Sequence, residues 1–282
     1  MSYLFIDVQH GLCNRLRALA SAAVIAEATG RELVVVWRPD HHCEARLCDL
    51  LEYDGLVIEE ADPGILSRQA RRVYNYMEVE PGARFKEPID LSGVEGDVYI
   101  RSAYTLEGPL RDDRAENRFL QGLRPSRAVL ELVQSIPQPS DLALHVRMAT
   151  GPAFDHLSYE SPANWPPERH RELIEWRQKS DISRFVARLD ALMIAQPVNS
   201  IFVAADLPAT YAALIERYGD RVRHLPRDRY DRSARQLQYA LADLMLLSAA
   251  PMFLASTWSS FSDVAQRLAR PGRRTERSGI DF

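Results

Sequence analysis

The sequence predicts an α/β protein with two doubly wound parallel sheets, one in each half of the chain. Apolar, strand-like runs alternate with helical segments, as in strands joined by crossover helices. The length of 282 residues lies near the limit at which a single core stops growing. Paired prolines in residues 136–140 disfavour helix before the next apolar run. We therefore predict an N-terminal domain over residues 1–138 and a C-terminal domain over residues 139–282.

The first half opens with a strand, a helix and another strand. Residues 3–8 form an apolar run typical of a buried strand, and residues 14–29 form an Ala-rich helical segment that Gly30 ends. Residues 33–37 predict the second strand. From residue 38 to about 125, short apolar pieces and charged loops predict smaller α/β elements. Because ligands of such folds bind at the carboxyl ends of the strands, the loop after the first strand is a candidate binding loop.

The second half repeats the alternation more regularly. It favours a second Rossmann-like domain, so that two such domains face each other across a cleft. The predicted strands cover residues 142–146, 200–204, 222–225 and 252–255, and the predicted helices cover residues 183–195, 209–218, 234–247 and 261–269.

Charge and cysteine content argue against several classes of protein. The net charge of -4 argues against a dedicated nucleic-acid binder, which needs a basic surplus to neutralise phosphates. The three cysteines Cys13, Cys43 and Cys48 lack CxxC spacing and indicate neither a disulfide framework nor a zinc site. No run approaches the ~18 apolar residues of a spanning helix, and no basic leader precedes the first strand. We expect a cytoplasmic protein without a transmembrane segment.

The first candidate loop, HGLCNR, follows the opening strand. Gly11 permits a tight turn, and the N-terminus of the next helix offers free N–H groups to an anion. The alternative is a helix capped by Asn14, with Arg15 on the surface beside it.

The second candidate loop follows LHVR, at the end of the first strand of the second half. Arg147 would project from this end, where its planar donors suit a phosphate. The alternative is an Arg147 paired to a nearby carboxylate and a His145 satisfied by the backbone.

The third candidate loop, ASTWSSF, gives the strongest local signal. Its hydroxyls, among them those of Thr257, Ser259 and Ser260, converge at the start of the last helix, next to Phe261. Such a helix N-terminus suits a pyrophosphate. The alternative is hydroxyl capping of the helix without a ligand.

Two aspartates are further candidates. Asp206 follows a predicted strand, where it would cap the next helix. Asp243 lies in a Leu- and Ala-rich helix and needs a partner if that helix is buried, which a purine or a ribose would provide.

These segments form an ordered series: GLCNRLRALASA, LHVR, FVAADLPATYAALIERYGDRV and ADLMLLSAAPMFLASTWSSFS. The series resembles the fucosyltransferase-like glycosyltransferases, which comprise α-1,6-fucosyltransferases, some of them bacterial, and protein O-fucosyltransferases. The resemblance spans both halves and implies a GT-B-like fold, with the acceptor on the N-terminal side and the nucleotide-sugar donor on the C-terminal side. It implies an inverting, metal-independent enzyme without a cofactor, which transfers fucose from GDP-fucose or a related GDP-sugar to a hydroxyl of a glycan or glycolipid precursor.

The resemblance also implies roles for the candidate residues. Arg147 would contact the β-phosphate, and His145 would lie by the nucleoside. Asp243 would lie near guanine, and Gly11 and Asn14 would face the donor phosphates and the acceptor. The remaining candidate donor-binding residues are Asp206, Thr257, Ser259, Ser260 and Phe261.

The chain departs from the α-1,6 enzymes beside Arg147. Met148 stands where they have a second arginine, and Thr150 stands at a usual acidic position. The base that the resemblance implies lies ten residues beyond the motif histidine, a position that maps to Asp155, with His156 and Glu160 as rivals.

Two other functions stay open at this point. One is a nucleotide-sugar epimerase or hydrolase of the same fold. The other, suggested by Met148 and Thr150, is a nucleotide-sugar or glycan-binding protein without catalysis. The sequence specifies neither the acceptor nor the oligomeric state, and it leaves a peripheral contact with a membrane open.

Overall fold

The computed structural model describes residues 2–60 and 62–282, and the chain divides into two compact units. Unit 1 holds the chain up to Ser126 together with Arg232–Leu237. Unit 2 consists of Arg127–Asp231 and Gln238–Phe282.

Unit 1 is built on a five-stranded parallel sheet with the order β4-β2-β1-β6-β5, beside a short antiparallel pair, β3 and β7. The strands are β1 (Tyr3–Val8), β2 (Glu32–Val36), β3 (Leu51–Glu52), β4 (Leu56–Ile58), β5 (Arg72–Asn75), β6 (Val98–Ser102) and β7 (Arg124–Pro125). The helices are α1 (Leu12–Ala28), α2 (Leu47–Leu50), α3 (Pro63–Gln69) and α4 (Asp113–Gln121).

The opening of unit 1 confirms the predicted strand, helix and strand. Leu4, Ile6 and Val8, which alternate along one face of β1, are buried, as expected for a strand face that packs on the core. Gly30 takes a φ of 61° just after α1, a left-handed conformation that ends the helix without steric cost. On its other side β1 pairs with β6. The sequence pattern showed β6 only as one of several short apolar pieces and did not predict this position.

Unit 2 is built on a second five-stranded parallel sheet, with the order β10-β9-β8-β11-β12. The strands are β8 (Leu142–Val146), β9 (Ile201–Ala205), β10 (Val222–Arg223), β11 (Met252–Ala255) and β12 (Arg274–Arg277). The helices are α5 (Arg127–Gln134), α6 (Pro167–Gln178), α7 (Ile182–Ala195), α8 (Pro208–Tyr218), α9 (Ala234–Ala249) and α10 (Ser260–Leu268). The first residues of α9 belong to unit 1. Short 3-10 turns lie at Pro162–Asn164 and Gly219–Arg221.

The strand order of unit 2 places a topological switch point between β8 and β11. The chain runs from β8 outwards through β9 and β10, then returns to the other side of β8 with β11 and β12. Ligands of such sheets bind at the carboxyl ends of the strands beside this point. The apolar core beneath it includes Leu144, Phe185 and Val203.

The division of the chain differs from the predicted boundary at residue 138. Helix α5 counts with unit 2, where its apolar residues Val129, Leu132 and Val133 are buried. The paired prolines follow α5 and precede β8. They therefore form a connection inside unit 2.

No helix within residues 2–60 and 62–282 combines the length and the apolar character that a bilayer crossing needs.

Candidate functional site

The candidate site of unit 2 lies at the carboxyl ends of β8, β9 and β11. The register pairs His145 with Ala204 on one side and with Ala255 on the other. The residues that follow these three strands therefore meet at one edge of the sheet. They include Arg147, Asp206 and the segment from Ser256 to Phe261.

Arg147 is held between two carboxylates. Its Nη1 donates to Asp206 Oδ2 at 2.5 Å, and its Nη2 donates to Glu160. Burial opposes the charge of Arg147, but Glu160 and Asp206 outweigh this effect and raise its pKa above the ordinary value. The pairing of Arg147 with a carboxylate, which the sequence left open as an alternative, is therefore present in the structure.

Asp206 holds the loop that carries Arg147 and does not cap the next helix. Its carboxylate accepts hydrogen bonds from the backbone amides of Met148, at 3.0 Å, and Ala149, at 2.7 Å. Helix α8 begins instead after Leu207, which makes no side-chain cap. Burial would raise the pKa of Asp206, but Arg147 and these amides lower it below the ordinary value. The prediction of Asp206 as a helix cap is therefore wrong.

His145 fixes the first turn of α10 to β8. Its Nδ1 lies 2.8 Å from Ser262 Oγ, and its ring stacks on Phe261 with 4.6 Å between ring centroids. Burial lowers the pKa of His145 to about 3, so the ring is neutral. The partner of the imidazole is a side-chain hydroxyl, where the sequence suggested the backbone.

The hydroxyls of the third candidate loop have different tasks. Ser256 accepts from the amide of Arg147 at 2.9 Å and donates to His145 O, and Thr257 donates to Ser278 O at 2.6 Å. Ser259 is the N-cap of α10, where its side chain accepts from the amide of Ser262. A further hydroxyl lies on Ser260, the first residue of this helix. Ser256 and Thr257 thus bind other segments of unit 2, whereas Ser259 and Ser260 lie at the N-terminus of α10.

Trp258 has a backbone conformation that is rare for a residue with a side chain. Its φ is 56°, and its indole is 41% exposed. The ring stacks on Trp176 with 6.3 Å between centroids, and the guanidinium of Arg169 lies 4.9 Å above it. Helix α6 thus holds the loop that leads into α10.

Arg177, also on α6, is a functional candidate that the sequence pattern did not single out. The side chain is buried, and it donates to the carbonyl oxygens of Thr257 at 3.3 Å and Trp258 at 3.2 Å. Burial, and then the charge of Arg147, lower the pKa of Arg177 to about 9. The sequence pattern predicted no helix or strand between residues 146 and 183, so nothing marked this residue as buried.

Asp243 has a partner within unit 2. Arg227 Nη2 donates to both carboxylate oxygens, at 2.9 and 2.8 Å, and both side chains are buried. Burial raises the pKa of Asp243 to about 6, with Arg227 opposing the rise. The need for a partner, which the sequence assigned to a purine or ribose, is met by this arginine.

The carboxylate that meets Arg147 from the following loop is Glu160 rather than Asp155. Thr150 Oγ1 also donates to Glu160, at 3.1 Å. Asp155 Oδ1 instead lies 3.5 Å from His170 Nε2, and His156 is exposed. Among the three predicted bases, the structure brings Glu160 onto the central arginine.

The first candidate loop, in unit 1, turns at His10 rather than at Gly11. His10 takes a φ of 61°, whereas Gly11 has a φ of -69° and is the N-cap of α1. Asn14 lies inside the first turn and does not cap the helix. Arg15 is fully buried, donates to His10 O at 2.8 Å and lies 2.9 Å from Asp40. The alternative with a surface arginine and an asparagine cap is therefore wrong.

A polar cluster that the sequence did not reveal lies at the same edge of the unit 1 sheet. Asp7 is buried and accepts hydrogen bonds from Gln9, Tyr99 and Arg101. Burial lowers the pKa of the nearby His10 to about 4.

No group of three or more His, Cys, Asp or Glu side chains in the described part of the chain is arranged to hold a metal ion.

Comparison with solved structures identifies the fold of the chain. Neither a family model nor a curated protein sequence matches the chain. The structure of the fucosyltransferase NodZ from Bradyrhizobium matches with a TM-score of 0.61 and 17% identity, over 95% of this chain and 94% of that chain. The chain has the GT-B fold. This result confirms the predicted fold class and the resemblance to fucosyltransferases at the level of fold.

Similar structures include ligand complexes. A NodZ α-1,6-fucosyltransferase structure soaked with GDP-fucose matches with a TM-score of 0.60 and 17% identity, over 95% of this chain and 93% of that chain. A POFUT1 structure in complex with GDP-fucose matches with a TM-score of 0.57 and 14% identity, over 99% of this chain and 98% of that chain. The likeness therefore extends over nearly the whole chain.

Proposed function

We propose that the protein is a glycosyltransferase that uses GDP-fucose or a related GDP-sugar as donor. The observation that carries the proposal is Arg147, which lies at the switch point of the unit 2 sheet, next to the loop that leads into α10. The likeness in fold to fucosyltransferases whose structures were solved with GDP-fucose supports it.

The donor pyrophosphate would lie at the N-terminus of α10. The first amides of a helix have no partners within the helix, and the helix dipole favours negative charge at this end. Ser259 and Ser260 would add hydroxyl contacts there. His145, Thr257 and Phe261 would support this turn from behind, which is consistent with their contacts within the fold.

The reaction would be a single displacement with inversion. An acceptor hydroxyl attacks the anomeric carbon, the bond from this carbon to the β-phosphate oxygen breaks, and GDP leaves with the bonding electrons. Arg147 would stabilise the charge that develops on the leaving phosphate, so the proposed mechanism uses a guanidinium in place of a metal ion.

A base has to accept the proton of the acceptor hydroxyl. We retain Asp155 as the proposed base, with Glu160 as its main rival and the exposed His156 as another. His170, close to the Asp155 carboxylate, would orient it.

The acceptor would be a hydroxyl of a glycan or glycolipid precursor, bound on the side of unit 1. Gly11 and Asn14, at the start of α1, are the proposed contacts there, since that helix N-terminus follows β1 at the edge where ligands of parallel sheets bind. Asp206 and Asp243 would support the donor side through Arg147 and Arg227.

We further propose that the enzyme is bacterial and cytoplasmic. The free thiols of Cys13, Cys43 and Cys48 fit a reducing compartment.

The test compares nucleotide binding by the intact protein and by an Arg147→Lys variant. The lysine keeps the positive charge that Asp206 and Glu160 neutralise but loses the planar pair of donors. Calorimetry with GDP, UDP, ADP and CMP should show selective binding of GDP, unchanged by EDTA, and Kd should rise about tenfold or more in the variant. An Arg188→Lys variant is the control, since Arg188 pairs with Glu276 at 2.6 Å, away from β8.

Product analysis then separates the reaction classes. With GDP-fucose alone, rapid release of free sugar or formation of an epimer would indicate a hydrolase or an epimerase. Selective binding of GDP without turnover on any glycan acceptor would indicate a binding protein. Absence of nucleotide binding by folded protein would refute the proposal.

A further inference from the structure

Arg177 is a buried cation without a carboxylate partner in the described part of the chain. The residue is 8% exposed, and its two hydrogen bonds, at 3.3 and 3.2 Å, go to the carbonyl oxygens of Thr257 and Trp258. Both are longer than the usual N–H···O distance of about 2.9 to 3.0 Å. Its Nε has no acceptor among the described residues.

This arrangement leaves a positive charge poorly compensated. Burying a charged group is unfavourable unless it is paired and hydrogen-bonded. The two carboxylates nearest to the site, Asp206 and Glu160, are bound to Arg147. The lowered pKa of Arg177 agrees with this picture, since burial and the charge of Arg147 both disfavour its protonated form. A further anion is therefore what the surroundings of Arg177 lack.

Three other arginines that are buried or half-buried have closer partners than Arg177 has. Arg15 lies against Asp40, and Arg227 binds Asp243. The half-buried Arg273 also has no carboxylate partner among the described residues, but all three of its nitrogens bond, at 2.6 to 2.9 Å, to Gln266 Oε1 and to two carbonyl oxygens. Arg273 shows what a structural arginine without a counter-ion looks like in this fold, and Arg177 differs from it.

The position of Arg177 points to the kind of anion. Thr257 and Trp258, whose carbonyls it contacts, immediately precede Ser259, the N-cap of α10. A helix N-terminus with a guanidinium beside it favours a compact, multiply charged anion. Met148, which follows Arg147 in sequence, packs against the apolar core, so this neighbour does not supply a second basic group.

We propose that Arg177 is a second phosphate-binding residue of the donor site, which donates hydrogen bonds to the pyrophosphate at the N-terminus of α10. The inference rests on the proposed function of this site. The carbonyls of Thr257 and Trp258 accept long hydrogen bonds from the guanidinium, and in the complex phosphate oxygens would accept from the same nitrogens. A guanidinium from α6 would then act with Arg147 from the end of β8.

The test measures donor binding and stability on the same variants. Arg177→Met removes the charge and keeps much of the volume. We expect Kd for GDP and for inorganic pyrophosphate to rise about ten- to hundredfold, as for the loss of charged hydrogen bonds, and the affinity for guanosine to stay unchanged. We expect Tm of the ligand-free variant to be equal to or above that of the parent, since a poorly compensated buried charge has been removed.

Two further variants make the result decisive. Arg273→Met is the matched control and should lower Tm while leaving Kd for GDP unchanged. Arg177→Lys keeps the charge without the planar donors, and it serves in place of the methionine variant if that one does not fold; its Kd for GDP should lie between those of the parent and Arg177→Met.

Each outcome bears on one proposal. An Arg177→Met protein with lower Tm and unchanged Kd for GDP would show a structural role and overturn the inference, while selective GDP binding by the parent would leave the proposed function standing. A parent protein that binds neither GDP nor pyrophosphate would remove the proposed function, and the inference with it.

Discussion

Replacing Glu160 by glutamine should tighten the binding of GDP. The Glu160 side chain is 6% exposed and is paired with Arg147, the residue to which the proposed function assigns the β-phosphate. The substitution keeps the size of the side chain and removes its charge. A phosphate that approaches Arg147 then meets one carboxylate on the guanidinium, that of Asp206, instead of two.

The size of the effect follows from the charges around Arg147. Arg147 and Arg177 contribute two positive charges, and Glu160 and Asp206 contribute two negative ones, both of which are paired with Arg147. A phosphate oxygen on Arg147 would lie ~5 Å from the Glu160 carboxylate, where two like charges repel by about 3 kcal/mol at an effective dielectric constant of ~20. Because rotation of the Glu160 side chain relieves part of this repulsion, we expect about 1.4 kcal/mol, which is a tenfold lower Kd.

The assay is calorimetric titration with GDP, together with a thermal melt of the ligand-free protein. Glu160→Gln should bind GDP more tightly but melt at a lower temperature, since Arg147 then keeps only Asp206 as a charged partner. Glu131→Gln is the control, because Glu131 pairs with Arg127 on the surface at 2.9 Å. An unchanged or higher Kd in Glu160→Gln would refute the assignment of the phosphate to Arg147.

Two further predictions concern stability. Asp243→Leu should lower the free energy of unfolding by about 3 to 5 kcal/mol, because Arg227 stays buried without its counter-charge; an unchanged midpoint of urea denaturation would contradict this role of the pair. Burial lowers the pKa of His145 from 6.5 to about 3, so across this window the unfolded chain binds a proton that the folded chain does not, and stability falls as the pH falls. His145→Gln should remove about 2 kcal/mol of the stability lost between about pH 7 and about pH 5, measured by denaturation at both values; an equal loss in parent and variant would argue against a neutral, buried His145.

The regular elements of the sheets were predictable because they depend on local patterns. The apolar runs of β8 and β11 give strands at the predicted bounds, residues 142–146 and 252–255. Helix α9 starts at the predicted residue, Ala234. Strand β6 was harder to place, since five residues among charged loops do not indicate a central position in a sheet.

Contacts between distant parts of the chain were not predictable. Helix α6 has the sequence PERHRELIEWRQ, in which no apolar stripe marks a buried face, and Arg177 contacts a carbonyl 80 residues away. The amides bound by Asp206 belong to residues 57 and 58 positions earlier in the sequence. An aspartate after a strand resembles a helix cap locally, and only the folded chain shows that it holds the Arg147 loop instead.

The strained turn before α10 gives the site a built-in optical reporter. The indole of Trp258 is partly in solvent, and its carbonyl oxygen accepts a hydrogen bond from Arg177. Trp37, by contrast, is fully buried in unit 1. Fluorescence of Trp258 and of Trp176, which stacks on it, should therefore respond when an anion draws Arg177 away from this turn, whereas that of Trp37 should not. Occupancy of the site would then be followed without a label, in real time and at low protein concentration.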